Sequence, residues 1–240
     1  MTTEMQPPDN IQIMRYKGVD WYHRIDKPDH LVIRETDYKF IQYEPTDVWI
    51  DAGANVGGFA FKASPKVSAV YSYEPEPGNV EVFLWNLSLH ASRLPPERQP
   101  INVVLNPRAL GAAAGEISFY VSEKHPYANS VLPIRGRKET RVECLAIDDE
   151  IRRHGANKLK LDVEGAERDI ILGSEFPGIT EIVMEWHTMY LDKTPHTQSE
   201  LFARCMGRLR DLGFGYEVRK AMKKYGNEST VILRLKRGTA

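Results

Sequence analysis

The stretch Val48-Trp49-Ile50-Asp51-Ala52-Gly53-Ala54-Asn55-Val56-Gly57-Gly58 decides how the rest of the chain is read. Its first three residues are an apolar run stopped by an acid, as expected of a buried strand ending at a sheet edge. Gly53, Gly57 and Gly58 punctuate the following turn, and Phe59–Ala63 leaves room only for a short helix before Ser64-Pro65. Strand, glycine turn and helix in that order open an α/β unit. Glycines in such a turn let the backbone take positive φ and approach a ligand closely.

Outward from this unit the same rhythm recurs. Val67–Tyr73 reads as a second strand ending at Glu74-Pro75. Asn79–His90 carries Val80, Phe83, Leu84, Leu87 and His90 at helical spacing, and Ile101–Leu105 reads as a third strand. Residues 107–147 break the pattern: Ile117–Val121 and Arg141–Leu145 read as strands between turns at Gly111, Gly115 and Gly136, a small β excursion. The alternation then resumes with a strand at Lys158–Val163, a helix at Ala166–Leu172 and a strand at Glu181–Trp186. A helix over Leu201–Leu212 starts near Gln198 or Ser199 and is capped by Gly213. Tyr216–Arg219 and Val231–Leu235 close the chain as an antiparallel pair around Tyr225-Gly226-Asn227. Ahead of all this, Ile11–Tyr16 and His30–Tyr43 read as extended. The expected organisation is therefore a strand-rich N-terminal extension over residues 1–45, leading into the main sheet. One α/β domain over 46–240 follows, with a mainly parallel sheet and helices on both faces.

Composition agrees with one folded unit of 240 residues, 42% hydrophobic and 27% charged. No stretch is apolar enough to cross a bilayer, and the polar segment Met1–Asn10 has no apolar region of a secretion signal. With Cys144 and Cys205 alone, no disulfide framework is implied and a cytoplasmic location is expected. A net charge of −1 gives no overall attraction to nucleic acid, so none is expected as a partner. The basic runs Arg135–Lys138 and Arg219–Lys224 read as solvated faces. Trp21, Tyr22 and His23 read as core aromatics in preference to a sugar-binding wall.

A glycine turn alone is often just a tight loop. Glu74 changes that reading, because it ends the next strand 23 residues beyond Asp51. An acid so placed reaches the ribose hydroxyls of a nucleotide-like ligand. A dinucleotide loop would read Gly-x-Gly-x-x-Gly, whereas this one reads Gly53-x-x-x-Gly57-Gly58 and opens with an acid. Asp51 would repel a pyrophosphate but attract a cationic amino group. S-adenosylmethionine carries an ammonium, a sulfonium and an adenosine but no phosphate, so the charges favour it over a nicotinamide dinucleotide.

A second motif, Leu159-Lys160-Leu161-Asp162-Val163-Glu164-Gly165-Ala166-Glu167, brings Asp162 to the carboxyl edge of the sheet. Ligands of open α/β sheets bind outside that edge, so Asp162 and Glu164 should face the same crevice as Asp51. Together, "VWIDAGANVGGFA", "YSYEPEPGNVEVFLWNL" and "LKLDVEGAERDIILGSE" resemble the FkbM-type S-adenosylmethionine methyltransferases over about Thr46 to His187. The resemblance implies a class I methyltransferase fold, a seven-stranded, mainly parallel sheet with its last strand inserted antiparallel. It also implies methylation of hydroxyl groups, often on sugars or secondary metabolites. Carried over, Asp51, Gly53, Ala54, Asn55 and Gly57 match the cofactor loop, and Glu74 with Pro75 matches the ribose-binding acid. Ala109 falls beside the adenine, and Asp162 and Glu164 match the acidic pair of the motif. The first 45 residues and the tail after about Thr188 carry no family motif, and substrate choice is expected there.

Methyl transfer to an alcohol calls for positioning and for a base, since the hydroxyl is a weak acid. Asp162 is the first candidate, with a contact to the cofactor amino group as its alternative role. Glu164, Glu185 and His187 stand behind it. Glu185 and His187 lie two apart at the end of one strand and so point the same way. Glu164 could instead neutralise a helix start, and His187 could be a hydrogen-bonded structural residue. These four side chains are also oxygen and imidazole donors, but their spacing matches no metal signature, so a divalent metal is not expected. The expected acceptor is a small molecule, a sugar or glycolipid among the options. Two competing functions follow from the same residues: a nicotinamide-dependent oxidoreductase, and a non-catalytic binding module that kept the fold.

Overall fold

A computed structural model of the chain describes residues 7–121, 137–187, 195–224 and 228–238. Strands β1 (Ile11–Tyr16) and β2 (Val19–Arg24) pair as an antiparallel hairpin. Helix α1 (Asp29–Arg34) follows, then β3 (Val48–Ala52), α2 (Gly58–Ala63), β4 (Ala69–Tyr73), α3 (Pro77–Arg93) and β5 (Val103–Asn106). Next come β6 (Ala109–Gly111), β7 (Gly115–Val121), β8 (Lys138–Ala146) and α4 (Ile147–His154). The chain continues through β9 (Lys158–Leu161), α5 (Glu167–Gly173), β10 (Glu181–His187), α6 (Pro195–Asp211), β11 (Phe214–Lys224) and β12 (Glu228–Arg237).

The main sheet has seven strands in the order β11-β12-β10-β9-β3-β4-β5. From β5 to β10 neighbours run parallel, while β12 is inserted antiparallel between β10 and β11. The central strands are buried on both faces, as a parallel sheet between helices requires. On β3, Trp49 and Ile50 point to opposite sides and are both fully buried. Trp49 joins Phe59, Phe61 and Phe83 under α2 and α3, and Ile50 joins Leu161, Ile170 and Leu209 under α5 and α6. The excursion forms a separate three-stranded sheet, β6-β8-β7, beside the carboxyl edge of the main one.

Three expectations about local structure need correction. The stretch from His30 is not extended: α1 occupies Asp29–Arg34, and turns lead on towards Tyr43. The β-branched Val32 and Ile33 favour strand, but burying Ile33 against the domain outweighs that weak preference. The hairpin of the extension forms its own two-stranded sheet and packs on α3 through Tyr22 and Trp85 and through Trp21 and His90. On α3 the buried stripe is Asn79, Val82, Phe83, Asn86, Leu89 and His90, leaving Leu84 half exposed. Asn86 is inside because its side chain bonds the backbone of Tyr22 in both directions, at 2.7 and 3.1 Å. Finally, α6 begins at Pro195, ahead of Gln198 and Ser199.

The turn at 225–227, Gly136 and the first residues of the basic run at 135 lie outside the described residues. Arg219, in the second basic run, pairs with Glu217 at 3.2 Å and lies over the Phe40 ring. Both cysteines are buried and unbridged. Among the described residues no helix is long and apolar enough to cross a membrane.

Candidate active site

The turn after β3 is shaped by contacts that admit few side chains. The Gly53 and Ala54 N–H groups both donate to the Tyr73 carbonyl at 3.0 Å, which binds the turn to the end of β4. Gly53 has φ +80°, and a Cβ there would stand 1.8 Å from the Asp162 carbonyl oxygen. Only glycine allows the two strand ends to come so close. Asn55 takes the left-handed conformation at φ 51°, which Asn tolerates better than most residues. Gly57, at φ +90°, starts α2 where a Cβ would meet the Phe61 ring at 2.2 Å.

Glu74 leaves β4 buried at 5% exposure. Its carboxylate accepts the Asn55 N–H at 2.8 Å, the Glu76 N–H at 3.0 Å and the Asn79 amide at 3.3 Å. Burial nevertheless dominates and pushes its carboxyl up to about 7. Asn79 is itself held by Arg24 at 2.7 Å, and Arg24 is paired with Asp29 at 2.7 Å. The N-terminal hairpin is thereby wired to the acid at the end of β4.

A narrow cleft of about 70 Å³ lies above these groups. Gly53 and Asn55 form one side, Glu74 and Pro75 another, Ala109, Leu110 and Phe119 an apolar wall, and the turn Asp162–Ala166 the end. Through Gly53, Asn55, Asp162 and Glu164 it adjoins a wider crevice of about 520 Å³. That crevice has Lys160, Asp162, Glu164 and Glu185 at its base and Leu31, Val32, Glu35 and Thr36 as a wall. Ala54 lines the crevice, whereas Asp51, Gly57 and His187 line neither space.

Asp51 is fully buried, and Lys160 lies 3.2 Å from it, 3.5 Å from Asp162 and 2.7 Å from the Gly53 carbonyl. Burial opposes the ammonium, but Asp51, Asp162 and Glu35 hold it above its ordinary range. Lys160 therefore neutralises Asp51, which organises the base of the turn and does not face an open space. Lys160 escaped the sequence reading, although its position two before Asp162 on one strand puts both on the same side.

Behind the crevice, His187 is enclosed by acids. Its Nδ1 bonds Glu167 at 2.9 Å. Its Nε2 lies 3.3 Å from Glu164, 3.6 Å from Glu185 and 3.9 Å from Asp162, and makes no hydrogen bond among the described residues. Burial disfavours the imidazolium, but Glu164, Glu167 and Glu185 together hold it well above the usual histidine range. Glu164 sits at φ 51°, and burial pushes its carboxyl up to about 8. Glu167 and Asp169, not Glu164, are the acids of the first turn of α5, and Glu167 also accepts the Val163 and Gly165 N–H groups of the preceding turn at 3.1 and 2.9 Å. Glu35, from α1's end, is a further crevice acid that burial pushes up to about 8. No local pattern could have found it, because only the tertiary fold brings α1 over the sheet edge. Trp21 is buried against Phe61 and His90, as a core aromatic.

The model of the Methyltransferase FkbM domain matches residues 51–227. No curated protein matches the sequence. Among solved structures, methyltransferase FkbM from Methylobacillus flagellatus KT superposes with a TM-score of 0.54 at 13% identity, covering 82% of this chain and 45% of that one. Trm5b from Pyrococcus abyssi superposes with a TM-score of 0.51 at 12% identity, covering 97% of this chain and 57% of that one. The chain thus spans about half the length of either structure, and at such identities the likeness speaks for the fold alone. The family match covers most of the chain and includes the turn, the distal acid and the Asp162 motif: the chain belongs to the FkbM methyltransferase domain family.

Proposed function

We propose that this chain transfers the methyl group of S-adenosylmethionine to a hydroxyl of a small acceptor, a sugar or secondary metabolite among the options. The observation that carries the proposal is the junction at Asp162 and Glu164 between a nucleoside-type cleft and an acid-based crevice. Glu74 supplies acceptors for a ribose diol, Ala109, Leu110 and Phe119 an apolar wall for a base, and nothing in the cleft resembles a phosphate cradle. The cleft is below the roughly 300–1,000 Å³ usual for ligand sites, so binding a nucleoside must widen it.

When bound, the cofactor supplies a methyl on a sulfonium, which departs as a neutral thioether. The residues of the chain do the rest. Glu74 and the Gly53–Asn55 turn fix the nucleoside end, and Asp162 stands at the junction, where it takes the proton from the acceptor hydroxyl as the new carbon–oxygen bond forms. Lys160 holds Asp162 in place, and Glu185 and Glu35 bind further hydroxyls of the acceptor. The N-terminal 45 residues, acting as a separate extension, wall the crevice through α1 and select the acceptor.

Transfer of an isotope-labelled methyl to a panel of sugars and hydroxylated metabolites tests this reading. At least one hydroxyl acceptor should become labelled, and Asp162→Asn should slow transfer by about 10²–10⁴-fold with the cofactor still bound. Labelling of amines only, or full activity of Asp162→Asn, would overturn it.

A further inference from the structure

We propose that Asp162, Glu185 and His187 form a binding site for one divalent first-row transition cation such as Mn²⁺. One ligand atom from each lies within 4.8 Å of the other two. Donors about 2.1 Å from a metal are at most about 4.2 Å apart, and His187 Nε2 is already 3.6 Å from Glu185 and 3.9 Å from Asp162. A small side-chain rotation completes the set.

Acidic groups often gather without a metal. Here a second observation points to a ligand: the His187 side chain is 1% exposed and aimed through Nε2 at three carboxylates 3.3–3.9 Å away, yet Nε2 makes no hydrogen bond among the described residues. A buried nitrogen that faces charges but makes no hydrogen bond is costly, and a cation would satisfy it. The opposite ring nitrogen is bonded to Glu167 at 2.9 Å. With Nδ1–H donating to that carboxylate, a cation entering among the acids would displace the Nε2 proton that they hold and take its lone pair, an arrangement that orients ligating histidines generally. Glu167 is itself anchored by two backbone N–H groups of the 163–165 turn.

Charge favours the same conclusion. Glu35, Asp162, Glu164 and Glu185 all border the crevice. A divalent cation would add to the compensation that Lys160 gives Asp162 at 3.5 Å. One imidazole with two carboxylates suits Mn²⁺ or Fe²⁺ better than Ca²⁺, which prefers oxygen alone. The site opens on the crevice through Asp162 and Glu185, leaving coordination positions for an acceptor oxygen, whose proton the metal would make more acidic. That last consequence rests on the methyl-transfer reading; the cation site does not.

The test is titration of chelator-stripped protein with Mn²⁺, followed by the electron-spin resonance signal of free Mn²⁺, with calorimetric S-adenosylmethionine binding on the same sample. One Mn²⁺ per chain should be taken up. Glu185→Gln and His187→Ala should each weaken uptake at least about tenfold, and Glu167→Gln about 10–100-fold although it removes no ligand. Cooperative thermal unfolding of Glu185→Gln shows that its loss is not misfolding. Mn²⁺ left free by the wild type, or bound equally by Glu185→Gln, would overturn the cation site. Cofactor bound while Mn²⁺ stays free would overturn the cation site alone. Mn²⁺ taken up with no cofactor binding would overturn the methyl-transfer reading alone.

Discussion

The ammonium of Lys160 stands 3.2 Å from the carboxylate of Asp51, with the two side chains 4% and 0% exposed. Burial by itself pushes the Asp51 carboxyl upward, and Lys160 opposes that rise. Removing one partner of such a pair strands the other in a low-dielectric interior. Lys160→Met should therefore destabilise the protein by about 3–5 kcal/mol in urea unfolding. The double variant Asp51→Asn/Lys160→Met should recover much of that loss, giving a coupling that independent sites lack. Equal stability of Lys160→Met and wild type would sink this account of Asp51.

Gly53 and Gly155 both have positive φ, at +80° and +60°, but a Cβ has open space only at Gly155. Gly155→Ala should cost roughly 1–2 kcal/mol, the conformational strain alone. Gly53→Ala should cost more and abolish cofactor binding, because the turn must back away from Asp162. Equal costs in parallel denaturation curves would mean that the close approach of the strand ends is not required.

Glu74 gives the site a pH dependence. Its carboxyl is raised from 4.5 to about 7 by burial. In the unliganded protein its protonated form thus adds stability that is fully present below about pH 4.5 and lost as pH rises through about 7. A ribose diol needs the ionised form as acceptor. Cofactor affinity should therefore fall about tenfold between pH 8 and pH 6, with the profile flattened in Glu74→Gln. A wild-type profile that is flat over this window would remove Glu74 from the ribose site.

The hairpin should matter to the cofactor without touching it. Arg24 joins Asp29 to Asn79, and Asn79 joins Glu74. Arg24→Met should lower stability by about 3–5 kcal/mol by stranding Asp29. Adding Asp29→Asn should restore much of the stability but leave cofactor binding weaker than wild type. Wild-type affinity in that double variant would show that the network does not orient Glu74.

The sheet was legible because parallel strands buried on both faces read as short apolar runs ended by acids and glycines. The turn and Glu74 were legible for the same reason: each follows directly on such a run, after Ile50 and after Tyr73. Helix α4 was not, since its apolar positions are few. Its signal lay in charge, with Asp148, Asp149 and Glu150 in the first turn and Arg152, Arg153 and His154 in the last. Asp51 looked like a ligand-facing acid because its partner Lys160 lies 109 residues away in sequence. His187 looked like a candidate base, and only the packed structure encloses it among Glu164, Glu167 and Glu185. Sequence spacing identifies which strand ends meet. It does not reveal which side chains there neutralise one another.

The central claim is that the cleft between the Gly53 turn and Glu74 takes S-adenosylmethionine, and calorimetry on the purified chain tests it most directly. One binding event per chain is expected with both S-adenosylmethionine and S-adenosylhomocysteine, weakened at least about tenfold in Glu74→Gln, whose charge-assisted hydrogen bonds to the ribose are lost. Absence of binding by either compound at millimolar concentration, or binding of a nicotinamide dinucleotide in their place, would contradict it.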